Sequence, residues 1–313
     1  MDIKKNNDNP EVKSLYDLYK LLDLRLDLID PSEGFTIHNM KDIGLTMPYQ
    51  SPSYRPDFFS FLFVKNGTGK YTVNEHTFDI KQQSIYFTNP SNYRTFSWQS
   101  IEEIYLITFD ETFLKKYVGK DIFSYFPFLL TETIQPKEVT AEFYGIAEKI
   151  YLQILQEYKS QSSFRYKVIG HFLAVLLYRI KEYFWIDYNP LQEGSRSSQI
   201  VKSFKQLLEN HYRDLSSGKA DKVFRVQDYA DAQHLHPNYL SNVIKSKTGK
   251  PIATWIVEKT ISEAKSLLQN TSVSIKEITY QLGFSEAAHF SNYFKKHTGI
   301  TPVQYRKELD TCK

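Results

Sequence analysis

Residues 226–249 read VQDYADAQHLHPNYLSNVIKSKTG, and residues 274–299 read SIKEITYQLGFSEAAHFSNYFKKHTG. Both stretches carry the same pattern: a short amphipathic helix, a tight turn, and a longer helix that ends at a glycine after a lysine-bearing turn. In the second copy Ile275, Ile278 and Leu282 form the inward stripe of the first helix. Gly283 stands where the chain must turn and tolerates positive φ, and Phe284 plugs the space between the helices. Ser285 is the expected N-cap, with Glu286 already inside the helix. Phe290, Tyr293 and Phe294 then face the core, which turns Ala287, Ala288, His289 and Asn292 outward. Lys295 and Lys296 close the helix, Gly299 stops it, and Pro302 lies beyond.

The first copy repeats this logic. Leu240, Val243 and Ile244 form the buried stripe, while Asn238, Ser241 and Asn242 project outward. Pro237 occupies the first helical turn, where its missing N–H costs nothing, and His236 stands where serine or threonine would cap. Asparagine and serine side chains can hydrogen-bond base edges; Lys245 and Lys247 suit phosphates. Residues 251–268 read as one uninterrupted helix of about 17 residues, about 26 Å long. Such a strut can hold two recognition helices in successive major grooves, about 34 Å apart. Two such units in tandem predict a bipartite reader of double-stranded DNA.

The segment LGFSEAAHFSNYFKKHTGITPVQYR resembles the signature of the AraC/XylS family of bacterial transcription regulators. The matching features are the glycine–phenylalanine turn, Phe290, Phe294, Lys295, Lys296, Gly299, Pro302, Tyr305 and Arg306. YLSNVIKSKTGKP, and Ala264, Leu267 and Leu268 at the end of the strut, match as well, so the resemblance covers roughly the final third of the chain. It implies base reading by Asn238, Ser241 and Asn242 in the first unit and by Ala287, Ala288, His289 and Asn292 in the second. Phosphate contacts are expected from Lys245, Lys247, Lys295, Lys296 and Arg306. Asn242 stands where the family often has arginine, which implies a different base preference. Thr279 replaces a usual alanine and touches packing only. The two alanines can meet thymine methyls but cannot hydrogen-bond through their side chains.

Charge follows the same division. From Ser197 onward the chain has 17 lysines and arginines against 11 acids, and the remainder has 22 against 25, so the proposed DNA-binding part is the basic part. No apolar run approaches the length of a membrane span, and the first residues, MDIKKNNDNPEVKS, lack the apolar stretch of a signal peptide. A single cysteine, Cys312, excludes an intrachain disulfide framework and fits a reducing cytoplasm.

Residues 58–110 alternate β-forming runs with turn signals. FFSFLFVK predicts a strand and Asn66-Gly67 with Gly69 a hairpin; KYTVN, HTFDI, SIYFTN, YRTFSW and EEIYLITF predict further strands. Asn74-Glu75 and Asn89-Pro90-Ser91 supply turns. The spacing predicts an antiparallel barrel or sandwich and resembles the cupin-like sensor barrel that often precedes AraC-type DNA-binding domains. Two long amphipathic helices follow, striped by Phe143, Ile146, Ala147, Ile150, Tyr151, Ile154, Leu155 and Tyr158, and by Ile169, Phe172, Leu173, Leu176 and Ile180. They predict packing against the sheet, and the resemblance adds a homodimer interface.

The fold expected is therefore α+β, in three parts. Residues 1–190 form a cupin-like sensor and dimerisation domain, 191–199 (LQEGSRSSQ) a linker, and 200–313 an all-α DNA-binding domain with two helix-turn-helix motifs. A helix running from Ile200 through Phe204, Leu207 and Leu208 to Tyr212 should open that last domain. An effector pocket is assigned to Tyr54, Arg55, Phe59, Phe61 and Phe63. The three phenylalanines share one strand face, which reads as core packing or as a pocket wall with Arg55 pairing an anion.

A cupin-type metal enzyme is the competing class, but the barrel region offers only His76, with His38 before it and no His-x-His pair. No nucleophile elbow, phosphate-binding glycine loop or Cys-x-x-Cys is present, so neither catalysis, a cofactor nor a metal is expected. A protein-binding adaptor is the third class. The resemblance adds RNA polymerase and a small-molecule effector as partners, and no membrane partner is expected.

Overall fold

The computed structural model describes residues 11, 12, 14–30, 32–73, 76–90, 94–131, 134–185, 196–268 and 273–311. The chain divides into two compact units, Met1–Tyr188 and Asn189–Lys313.

The first unit is built on a seven-stranded antiparallel sheet of β1 (Phe35–Asn39), β2 (Tyr49–Gln50), β3 (Phe59–Val73), β4 (His76–Asp79), β5 (Ser84–Thr88), β6 (Arg94–Phe109) and β7 (Ile134–Glu138). Their order is β1-β6-β3-β5-β7, with β2 also on β6 and β4 also on β3. The central pair β3–β6 runs from Phe59 opposite Phe109 to Val73 opposite Arg94.

The hairpin expected at Asn66-Gly67 does not form. β3 passes straight through it, with register shifts at Val64/Asn66, Asn66/Gly67 and Thr68/Gly69. These bulges bend the strand without reversing it. Glycine is needed there for close approach and not for a turn: a Cβ on Gly67 would lie 2.5 Å from Ile104 Cδ1 and 3.0 Å from the Ser100 carbonyl oxygen. One on Gly69 would strike the Ser97 carbonyl. RTFSW and EEIYLITF likewise merge into the single strand β6, and Tyr93 lies outside the described residues. Asn74 and Glu75 lie outside the described residues.

Both sheet faces are covered, so the strands read as near-continuous apolar runs. On one face Phe35, Ile37, Phe59, Phe61, Phe63, Ile85, Phe87, Tyr105, Ile107 and Phe109 pack against two helices, α2 (Ala141–Tyr158) and α3 (Arg165–Trp185). The intervening residues, among them Leu62, Val64, Tyr86, Phe96, Trp98 and Ile104, form a separate core with helix α1 (Leu15–Leu21). From α2 the core takes Phe143, Tyr144, Ala147, Tyr151 and Ile154; from α3 it takes Ile169, Leu173, Leu176, Leu177 and Ile180. Ile146, placed in the stripe by the sequence, is exposed.

The second unit is helical: α4 (Arg196–Ser216), α5 (Val226–Asp231), α6 (Pro237–Thr248), α7 (Ile252–Leu268), α8 (Ile275–Gln281), α9 (Ala287–Thr298) and α10 (Pro302–Thr311). The opening helix starts at Arg196, so residues 196–199, assigned to the linker, are helical; 191–195 lie outside the described residues. Two small cores result. Phe204, Leu208 and Tyr212 of α4 join Tyr229, Leu240, Ile244 and Ile252. Ala264 and Leu268, at the far end of α7, join Ile278, Leu282, Phe290 and Phe294. The strut thus roots one end in each core. No helix among the described residues is long and apolar enough to cross a membrane.

Candidate nucleic-acid interface

The pairs α5–α6 and α8–α9 are built alike. Each turn uses one left-handed residue, His234 (φ 54°) in the first and Gly283 (φ 73°) in the second. Each second helix ends at a left-handed glycine, Gly249 (φ 72°) or Gly299 (φ 86°), whose N–H donates to the lysine carbonyl four residues back. The threonine before each glycine turns inward: Thr248 Oγ1 donates to the Ile244 carbonyl at 2.8 Å and Thr298 Oγ1 to the Phe294 carbonyl at 2.8 Å. Thr-Gly recurs at the end of both copies, and that repeat is the sequence signal for this inward threonine.

The starts differ. Pro237 is the first residue of α6, and His236 serves as its cap, with Nδ1 accepting from the Asn238 N–H at 3.3 Å. In α9 the cap position falls on Glu286 and not on Ser285, and no side chain caps it. The helix therefore begins one residue later than expected. The best-capped start is that of α8, where the Ser274 N–H donates to Glu277 Oε2 at 2.8 Å and the Glu277 N–H to Ser274 Oγ at 3.1 Å.

Burying Leu240, Val243 and Ile244 on α6 leaves Asn238 and Asn242 exposed and Ser241 half-buried. On α9, burying Phe290 and Phe294 leaves Ala287, Ala288, His289 and Asn292 exposed. The amides of Asn238, Asn242 and Asn292 make no hydrogen bond within the described residues, so their donors and acceptors are free to meet an outside partner. His289 leans on Phe284, ring centroids 5.5 Å apart and near perpendicular, which fixes the imidazole at the head of the helix. Tyr239, 46% exposed beside Asn238 and Asn242, shares the free face of α6 and was not singled out from sequence.

Lys245, Lys247, Lys295 and Lys296 are exposed in the last turns of α6 and α9, where they also complement the helix dipoles. Arg306 is different. Its Nε donates to the Leu268 carbonyl at 3.3 Å and its Nη2 to the Val273 carbonyl at 2.8 Å. The guanidinium assigned to phosphate instead ties α10 to the end of α7. Thr279 is fully buried, its Oγ1 donating to the Ile275 carbonyl, in keeping with a packing role.

The residues assigned to an effector pocket separate in the structure. Phe59, Phe61 and Phe63 belong to the helix-covered core, with Phe61 stacked on Phe87 at 4.6 Å and Phe63 tilted against Tyr151 at 4.9 Å. The cavity lies on the opposite face of the sheet, as the period of two requires. Tyr54 lines it and Arg55 does not; the arginine that does is Arg94, in phase with Phe96 and Trp98 on β6. Burial pushes the Tyr54 hydroxyl well above its ordinary pKa. His38 also lines the cavity, and burial, helped by the charge of Lys159, lowers its pKa to about 4. Its ring stands edge-on to Tyr19 and Tyr158, 5.8 and 5.6 Å away. Among the described residues no histidine belongs to a cluster that could hold a metal, and the His76 side chain lies outside them.

Two helix pairs with free polar faces and basic closing turns define a helix-turn-helix DNA-binding regulator. A helix-turn-helix domain family matches residues 229–308, which takes in nearly all of both pairs. The Msm operon regulatory protein of Streptococcus mutans is 24% identical over 263 residues, 81% of this chain and 85% of that protein. The HTH-type transcriptional activator RhaR of Yersinia pseudotuberculosis is 20% identical over 292 residues, 91% of this chain and 96% of its own length. The arabinose operon regulatory protein of Escherichia coli is 30% identical over 115 residues, 36% of this chain and 39% of that protein. These matches support the resemblance to the AraC/XylS family of transcription regulators and show a helix-turn-helix domain over residues 229–308.

Proposed function

We propose that this chain reads DNA by laying α6 and α9 into successive major grooves, as two helix-turn-helix motifs held by the strut α7. The observation that carries this is the free, unpaired polar face on each second helix at matching positions in a duplicated unit. Asn238, Ser241, Asn242, His289 and Asn292 supply base-edge hydrogen bonds, Ala287 and Ala288 contact thymine methyls, and the four exposed lysines hold phosphates. The 17 residues of α7 span about 26 Å, enough with the second helices' own width to serve grooves about 34 Å apart.

The first unit, read as a cupin-like barrel, holds an effector and pairs two copies of the chain. The exposed Phe164, Val175 and Tyr178 on and beside α3 support self-association through that helix. Occupancy of the barrel shifts the arrangement of paired DNA-binding units, and bound protein recruits RNA polymerase; the name of the RhaR relative supports activation.

Selection of genomic fragments by the full chain at two salt concentrations tests the reading. A shared motif with two elements about one helical turn apart is the expected result. Enrichment of nothing by the full chain, and nothing by residues 197–313 alone, would sink it.

A further inference from the structure

The cavity on the α1 side of the sheet has a chemistry that DNA reading does not use. Its walls are largely apolar, with Leu18, Ile43, Leu106, Phe96 and Trp98 among them. Its volume is about 550 Å³ with the open mouth counted, and the part enclosed between these side chains is far smaller, so its occupant must be slim.

Arg94 is the single charged side chain among the lining residues apart from the titratable His38. It is 2% exposed. Its Nη1 donates to Ser60 Oγ at 3.0 Å and its Nη2 to the Phe58 carbonyl at 3.4 Å, while Nε has no partner. The guanidinium carbon stands 6.0 Å from the centroid of the Tyr54 ring. Among the described residues no carboxylate pairs with it. Two more buried nitrogens at the same cavity, His38 Nε2 and Trp98 Nε1, are also unpartnered. With its pKa lowered by burial, His38 is neutral at neutral pH, so the cavity carries one positive charge.

A guanidinium taken out of water is costly unless an opposite charge joins it, and neutral oxygens compensate only in part. A second negative charge on the partner would in turn go unmatched. A planar carboxylate meets the fork of an arginine, and an unbranched chain fits the slim apolar remainder.

We propose that this cavity binds a linear monocarboxylate, its carboxylate paired with Arg94 and its chain along the apolar wall. The proposal deepens the effector reading above by naming the class of ligand, and it rests on that reading only for the regulatory consequence.

Calorimetric titration of the full chain with hexanoate, hexan-1-ol, hexylamine and hexyl phosphate, at fixed ionic strength, tests it. Hexanoate binds tighter than hexan-1-ol by about tenfold or more, hexylamine does not bind, and hexyl phosphate binds more weakly than hexanoate. In Arg94→Gln, hexanoate and hexan-1-ol bind alike. If that variant does not fold, the series on the natural chain decides alone. Equal binding of hexanoate and hexan-1-ol, binding of none of the four, or a preference for hexyl phosphate would each overturn the proposal. DNA affinity measured with and without hexanoate is a separate readout: no change there counts against effector control while leaving the cavity's ligand class intact.

Discussion

At the scale of single residues, Arg306 and the two lysines of α9 show how one expected role divides into two. Arg306 gives its guanidinium to the carbonyls of Leu268 and Val273, whereas Lys295 and Lys296 stand free. Arg306→Ala should therefore lower the stability of the second unit by about 2 kcal/mol, read by chemical denaturation. Lys295→Ala should leave stability nearly unchanged and weaken binding to every DNA sequence, reducing the salt slope by about one. An Arg306 variant with intact stability and a shallower salt slope would restore the phosphate assignment.

His38 gives a pH dependence. Its imidazole titrates near 4 in the folded chain against about 6.5 when unfolded, so between these values the unfolded state holds more protons. Stability from this group is complete above pH 6.5 and declines as pH falls toward 4, by roughly 3 kcal/mol in all. Thermal melts of the natural chain should lose more between pH 6.5 and 4.5 than those of His38→Gln; parallel curves would show that His38 does not titrate with unfolding.

Among elements, α8 depends on its start. It spans only Ile275–Gln281, and a helix this short is held by its cap and its packing. Ser274→Ala removes the oxygen that receives the Glu277 N–H and should cost about 1 kcal/mol, checked by hydrogen exchange at α8 amides. Unchanged protection would mean that Ile278 and Leu282 hold the helix by burial alone.

The helical elements were readable from sequence because their signals are local: apolar spacing, a capping serine, and glycines at the ends of α6 and α9. The strands were readable as runs, but their ends were not. Asn66-Gly67 is a turn signal in isolation. Here the facing strand β6 continues alongside, and its pairing outweighs the local preference for reversal. The late start of α9 at Ala287 is a similar case, since Ser285 was a sound cap by local chemistry and the turn geometry placed Glu286 at the boundary.

For the whole molecule, duplication is the property that matters. Each helix pair has its own small core, and α7 contributes side chains to both. Half-sites placed one helical turn apart should bind best. Inserting about five base pairs turns the second half-site to the far side of the duplex and should reduce affinity to that of one unit alone. Equal affinity for both spacings, measured by fluorescence anisotropy, would show that the two units read independently.

The sequence alone determined the duplicated helix pairs, the outward placement of Asn238, Asn242, His289 and Asn292, the β-rich first part, and the basic bias of the last third. These follow from periodicities of 3.6 and 2 and from charge counts, which need only neighbouring residues. Tertiary structure decided which arginine enters the cavity, which sheet face encloses it, that Gly67 and Gly69 sit in bulges, and that Arg306 holds backbone. Each of these depends on what lies opposite, on strands or helix ends tens of residues away, and no local pattern carries that partner's identity.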